Sequence, residues 1–179
     1  LLKIITGLIP PDEGQVVIGG RKVVGAPRRV LDALREEIGM IFQGSALFDS
    51  MTVDENISFA LKNIRGMTPE MISKRVREAM DQVKLGAVEK LYPAQLSGGM
   101  KKRVGIARAV VARPRVLLAD EPAAGLDPST SRVIAGLLAR VRKQFRMTCI
   151  LVTTSLEIAS IIADKVAFLH EGRIELITT

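Results

Sequence analysis

The chain has 179 residues, 47% hydrophobic and 25% charged, which is enough for one domain with a real core. It holds no run of about 18 uninterrupted apolar residues, so no span crosses a bilayer, and no basic-then-apolar leader precedes a small-residue cleavage site, so secretion is not indicated. The net charge of +7 is scattered over Arg28-Arg29, Lys101-Lys102-Arg103 and Arg140 to Arg146, and aromatics make up only 3%, so the charge reads as a solvated basic surface and no nucleic acid is expected.

The first residues, Leu1, Leu2, Ile4, Ile5 and Leu8, read as the apolar face of a helix already under way. The last ones, Ile174 to Thr179, stop inside a strand-like run. Both ends predict a fragment or trimmed piece of a longer protein. The opening helix is expected to end near Gly7, before Pro10-Pro11. Gly14 to Ile18 and Arg21 to Val24 read as short strands around Gly19-Gly20, a hairpin signal. A helix over Arg28 to Glu37 leads to an apolar strand, Ile38 to Phe42. Thr52 with Glu55 forms a capping-box pattern. Thr68-Pro69-Glu70 is a further helix start, and Ile72, Val76, Met80 and Val83 follow it as a helical stripe.

Beyond Gly98-Gly99, strands and helices alternate: Val116 to Asp120, Pro128 to Phe145, Thr148 to Thr153, Leu156 to Ala163 and Val166 to Leu169. Alternation of this kind predicts crossover units and a parallel sheet. The organisation is then a parallel α/β core with a helical insertion between Phe42 and about Ala112. Cys149 lies in an apolar run and reads as a buried, reduced thiol with no internal disulfide partner.

Three strings carry chemistry. Ser97-Gly98-Gly99 opens a helix, where free N–H groups and a partial positive charge suit a phosphate. Alone, the string would read as a serine cap on a flexible turn. Val116 to Ala119 then delivers Asp120 and Glu121 to the carboxyl end of a strand, where ligands sit in open α/β sheets. Successive strand residues point to opposite sides, so one carboxylate can hold a metal while the other faces a different atom. Gly125-Leu126-Asp127 follows directly, and Asp127 before Pro128 also reads as a helix cap.

The order L-S-G-G, an apolar strand with D-E-P, then G-L-D-P resembles the ATP-binding subunit of ABC transporters over nearly the whole chain. The resemblance implies an α/β fold of the P-loop NTPase (RecA-like) type: a parallel sheet core with an inserted helical subdomain (about residues 44–112 of a single 1–179 domain) and a partial antiparallel β subdomain. It implies ATP and Mg²⁺ as cofactors. Ser97, Gly98 and Gly99 would form the signature that binds the γ-phosphate of ATP held by the opposite subunit. Asp120 would be the metal-associated carboxylate and Glu121 the general base. Asp127 would lie in the loop crossing the dimer interface. Gln43 would sense Mg²⁺ and the nucleophile, its loop coupling the core to a membrane permease.

The implied assembly is a head-to-tail homodimer on a permease, cytoplasmic and peripheral on the inner face of the cell membrane. The string from Ile41 to Val53, with Met100 and Lys101-Lys102-Arg103, looks narrower still. It is similar to the Mla-type branch, which implies phospholipid or other apolar cargo and an MCE-domain partner. Other expectations from different classes are a soluble ABC ATPase acting on DNA or ribosomes, and a non-catalytic regulatory module.

Two features depart from the family. The phosphate loop G-x-x-x-x-G-K-[ST] is missing, and no Gly-Lys pair occurs in the chain. The family places this loop just before the helix that begins here at Leu1, so truncation is the expected cause. This chain alone is therefore expected to bind ATP weakly and not hydrolyse it. Thr154 stands where the family has a switch histidine. Threonine carries no positive charge, and Thr154-Ser155-Leu156-Glu157 reads as a capping box. The chain's single histidine, His170, reads as a turn residue.

Overall fold

The computed structural model describes residues 1–62, 64 and 66–179; Asn63 and Arg65, within the expected helical insertion, lie outside it. Helix α1 is short, Leu2–Ile5, and ends where Thr6 turns its hydroxyl back onto the Leu2 and Lys3 carbonyls. Strands β1 (Val17–Ile18) and β2 (Arg21–Lys22) pair antiparallel. They are shorter than the sequence suggests, with Gly19 and Gly20 both at positive φ in the turn. Helix α2, Arg28–Glu36, leads into β3, Ile38–Ile41.

Among the described residues, three α-helices and two short 3-10 turns, the first at Phe59–Leu61, follow before the next strand. Helix α3, Val53–Ser58, starts at the Thr52–Glu55 capping box, which forms in both directions. Helix α4, Pro69–Gln82, starts at Thr68 and buries Val76 and Met80, with Val83 buried just beyond it. The second 3-10 turn, Pro93–Gln95, precedes helix α5, Gly98–Val110, whose cap is Ser97. Strand β4 is Val116–Asp120, helix α6 Pro128–Phe145 and strand β5 Thr148–Val152. Helix α7, Leu156–Ile162, is followed by strands β6 (Val166–His170) and β7 (Arg173–Thr178).

The central sheet has the order β3-β4-β5, and both pairings are parallel. Its middle strand is buried at Leu117, Leu118 and Ala119, as a strand covered on both faces must be. Gly39 of β3 lies against the carbonyl of Ala109 and the ring of Pro114, so a Cβ there would collide with α5 backbone. The core joins sheet and helices continuously, from Ile57, Leu61 and Val76 through Val104 and Ile106 to Ile134 and Leu138. Among the described residues no helix is long and apolar enough to cross a membrane.

Four sequence expectations change. First, β6 does not extend the parallel sheet; it pairs antiparallel with β7. Glu171 and Gly172 both take positive φ, which folds the chain straight back as a two-residue hairpin turn. Second, His170 is the last residue of β6, paired with Arg173, rather than part of the turn. Third, α7 is capped by Ser155, whose hydroxyl accepts from the Ile158 amide at 3.3 Å, and no box forms from Thr154. Glu157, the expected partner of Thr154, instead meets Arg132 of α6 at 2.6 Å. Fourth, Cys149 is half-buried on β5 rather than sealed; burial pushes its thiol up from the ordinary value, which keeps it protonated and unreactive.

The packing at Gly39 yields a prediction. In the intact protein, Gly39→Ala costs about 1–3 kcal/mol through overpacking against α5, read as a lower urea midpoint at unchanged slope; an unchanged midpoint contradicts the close approach.

Candidate functional site

The parallel register decides what meets at the sheet edge. Ile41 of β3 pairs with Ala119 of β4, and Asp120 pairs with Val152 of β5. The residues that leave the strands next are Phe42-Gln43, Glu121 and Thr153-Thr154. Three segments far apart in sequence therefore emerge side by side at the carboxyl end of one sheet, where open α/β sheets carry their ligands.

Glu121 is not a strand residue. Its φ is 42°, so it leaves β4 in the left-handed region, and the expected alternation with Asp120 does not extend to it. That conformation costs a non-glycine residue about 1–3 kcal/mol and is held only where its surroundings insist on it. They do here. The Glu121 amide donates to the Val152 carbonyl at 2.9 Å. One carboxylate oxygen accepts from the Thr154 amide at 2.6 Å, and the other from the Thr153 hydroxyl at 3.1 Å. The carboxylate is thus fixed to the end of β5 through both oxygens. Asp120 remains at the strand end, half-buried.

Thr154, the residue at the expected histidine position, does touch Glu121, but with its backbone rather than its side chain. Sequence reasoning passed over Thr153, whose hydroxyl supplies the second bond. It also relays to the next turn, accepting from the Ser155 amide at 3.2 Å. No periodic signal marks Thr153; only the strand register reveals it.

Ser97 caps α5, its hydroxyl accepting from the Met100 amide at 3.3 Å. Ser97 and Gly98 are exposed, so the helix N-terminus opens to solvent. Asp127 caps the neighbouring α6. One carboxylate oxygen accepts from the Ser129 hydroxyl at 2.5 Å and the Thr130 amide at 3.0 Å. Those bonds, the Ser129 hydroxyl foremost, hold its carboxyl well below the usual range. The two N-termini are adjacent: a Cβ on Gly99 would lie 3.2 Å from Thr130 Cγ2, and one on Gly98 3.4 Å from Leu126. A side chain at Gly99 would crowd Thr130, whereas one at Gly98 would only touch Leu126.

Gln43 follows β3 with its side chain exposed and its carbonyl taken by the ammonium of Lys102. The structure thus assembles Gln43, Asp120, Glu121 and Thr154 at one edge. Ser97, Gly98, Gly99 and Asp127 form a second, separate cluster at two helix N-termini. Mg²⁺ takes oxygen ligands and is usually held by one or two carboxylates, phosphate and water. Asp120 and the Gln43 amide oxygen suit that chemistry. Among the described residues no three His, Cys, Asp or Glu side chains converge, so nothing here offers a closed protein cage.

A profile described as ABC transporter matches residues 1–124. The chain belongs to this family. It is 43% identical over 174 residues to the methionine import ATP-binding protein MetN of Rhizobium johnstonii, covering 97% of this chain and 48% of that protein. It is 44% identical to MetN of Geobacillus kaustophilus, covering 97% and 51%. The chain therefore spans about half the length of the curated relatives it matches.

Among solved structures, a dimeric ATP-binding cassette in a post-hydrolysis state with ADP and Pi superposes with a TM-score of 0.88 at 32% identity. That match covers 99% of this chain and 78% of the other. The cassette cbiO1 of Clostridium perfringens, part of an ABC transporter complex, gives 0.89 at 32% identity, covering 98% and 70%. The expected fold class, an ABC ATPase of the P-loop NTPase type with parallel sheet and added antiparallel strands, is the one observed. The narrower Mla-type expectation finds no such support: these curated relatives are methionine import proteins, so the residues from Ile41 to Val53 and Met100 do not carry a lipid assignment.

The geometry of Glu121 separates two neighbouring threonines within this ABC family chain. In the intact protein Thr154→Ala keeps the amide that holds Glu121, whereas Thr153→Val loses a bond to it. ATP turnover is expected to stay within about twofold for the first and to fall about tenfold for the second. A steady-state phosphate-release assay compares them, and equal loss in both contradicts the backbone assignment.

Proposed function

We propose that the intact protein is the ATP-binding and hydrolysing subunit of a membrane ABC transporter. The observation that carries this reading is the pinned Glu121 carboxylate at the sheet edge, beside Asp120 and Gln43, in a chain of the ABC family. Glu121 serves as the general base that takes a proton from the attacking water. Its fixed orientation supports that role, because a positioned carboxylate loses little freedom on reaching the transition state. Asp120 and the Gln43 amide would hold Mg²⁺, which would neutralise charge on the phosphates when bound. Thr154 contributes its backbone amide where the family uses a histidine side chain.

Ser97, Gly98 and Gly99 present a helix N-terminus to the γ-phosphate of an ATP held by a second copy. Exposure of this turn supports action in trans, since a phosphate bound there needs free N–H groups and little intervening side chain. The dimeric cassette among the structural relatives supports a two-copy assembly. Asp127, beside that turn, lies in the interface loop and keeps its negative charge through its hydrogen bonds.

A groove of about 640 Å³ beside the Gln43 loop, lined by Phe42, Phe48, Phe59 and Ala112, supports docking of a permease segment. The protein is then peripheral on the inner face of the membrane. The relatives' names favour import, with methionine the cargo they carry. Expression of the intact gene and its permease in a methionine-uptake mutant is expected to restore ATP-dependent uptake. Movement of phospholipid between labelled vesicles without methionine uptake overturns the cargo assignment while leaving the ATPase reading in place.

Two predictions test the chemistry. Glu121→Gln in the intact protein lowers kcat by about 10²–10⁴-fold, the usual contribution of a positioned base, with ATP affinity retained in calorimetry. A smaller loss argues that another group takes the proton. Thr154→His raises kcat at unchanged KM, because the amide bond to Glu121 survives and an imidazole is added; unchanged turnover shows that the threonine site is already complete.

A further inference from the structure

Helix α5 buries most of its C-terminal half, at Val104, Gly105, Ile106, Ala107, Ala109 and Val110. Lys102, in the N-terminal half, is buried as well, with only 7% of its surface exposed. An ammonium has three donors and no acceptor, and burying it is costly unless its charge is answered. Among the described residues no carboxylate forms an ion pair with Lys102. Its hydrogen-bond partner is the backbone carbonyl of Gln43. The opposite charge it feels is that of Glu121, which offsets part of the downward push of burial on the ammonium. A lysine kept there serves no packing purpose that methionine would not serve better.

The same helix face continues the grip at a spacing of three residues. Gly105 packs against Ser45, where a Cβ would lie 3.4 Å from the serine Cβ. Arg108 donates to the carbonyls of Ser45 at 2.7 Å and Ala46 at 2.8 Å. Ser45 and Ala46 both take positive φ, at 63° and 44°. The loop after β3 is therefore bent into an unfavourable conformation that α5 sustains through its carbonyls.

We propose that Lys102 is a positioning residue for ATP hydrolysis, setting Gln43 against Glu121 by holding the Gln43 carbonyl to the helix that begins at Ser97. The proposal rests on the function reading above. It makes one rigid helix the link between the turn that meets a partner's phosphate and the glutamine that meets metal and water. Movement of that helix on ATP closure carries Gln43 with it.

The test uses the intact protein with its permease, ATP and Mg²⁺. Lys102→Met keeps the aliphatic stem and removes the ammonium. The expected result is a kcat lowered about tenfold to hundredfold with KM for ATP within about twofold, and a melting temperature no lower than wild type. Lys102→Arg keeps donor and charge and is expected to retain about half of kcat or more. A Lys102→Met variant with wild-type kcat overturns the proposal. If Lys102→Met melts below wild type, Lys102→Arg decides: about tenfold loss at wild-type melting overturns the proposal, and retained turnover supports it. Wild-type protein that hydrolyses no ATP overturns the function reading and this inference together.

Discussion

The parallel pairing of three strands is the constraint on which everything else depends. With Ile41 against Ala119 and Asp120 against Val152, the chain cannot avoid bringing Gln43, Glu121 and Thr153-Thr154 to one edge. A slip of one residue would exchange the faces on which Leu117, Leu118 and Ala119 pack and separate Glu121 from the Thr154 amide. Burial of the middle strand on both faces makes such a slip costly. The site's geometry is therefore set by core packing and only then refined by hydrogen bonds.

Helix α5 is the second constraint, and it acts on both clusters. Its N-terminus is the Ser97 turn, its middle grips the Gln43 loop, and its far end seats β3 through Gly39 against Ala109. Its inner face is packed into the core at Val104, Ile106, Ala107 and Val110. In the proposed mechanism a shift at its N-terminus reaches residues 43 to 46 through the bonds of Lys102 and Arg108. Ser45, Ala46 and Glu121 hold left-handed backbone at the proposed chemistry, while Lys84, Arg113, Arg146 and Glu171 do so at helix ends and turns elsewhere.

Much of this was legible in the sequence. Ser97, Thr52, Thr68 and Asp127 each announce a helix start by residue type and spacing, and each caps one. Strand Val116–Asp120 and helix Pro128–Phe145 fall where pattern places them, the strand as a continuous apolar run and the helix as a long periodic one. The sequence misled where a local signal met a tertiary competitor. Thr154 and Glu157 look like a capping box, yet Glu157 finds Arg132 and the Thr154 amide goes to Glu121. Strand β6 looks like another parallel member until Glu171-Gly172 folds it back on β7. Lys102 and Thr153 carried no pattern at all, since their partners lie 59 and 32 residues away.

The branch-level resemblance failed for a different reason. It was carried by a few residues, Ile41 to Val53 and Met100 to Arg103, whereas 97% of the chain aligns with methionine import ATP-binding proteins. The signature turn, Ser97 to Gly99, is proposed to act on ATP held by another copy. The most direct measurement is the structure of the intact protein with ATP and Mg²⁺. The Ser97 hydroxyl of each subunit is expected within about 3 Å of the γ-phosphate bound by its neighbour. An ATP contacted by one subunit alone, with Ser97 to Gly99 facing solvent, would contradict it.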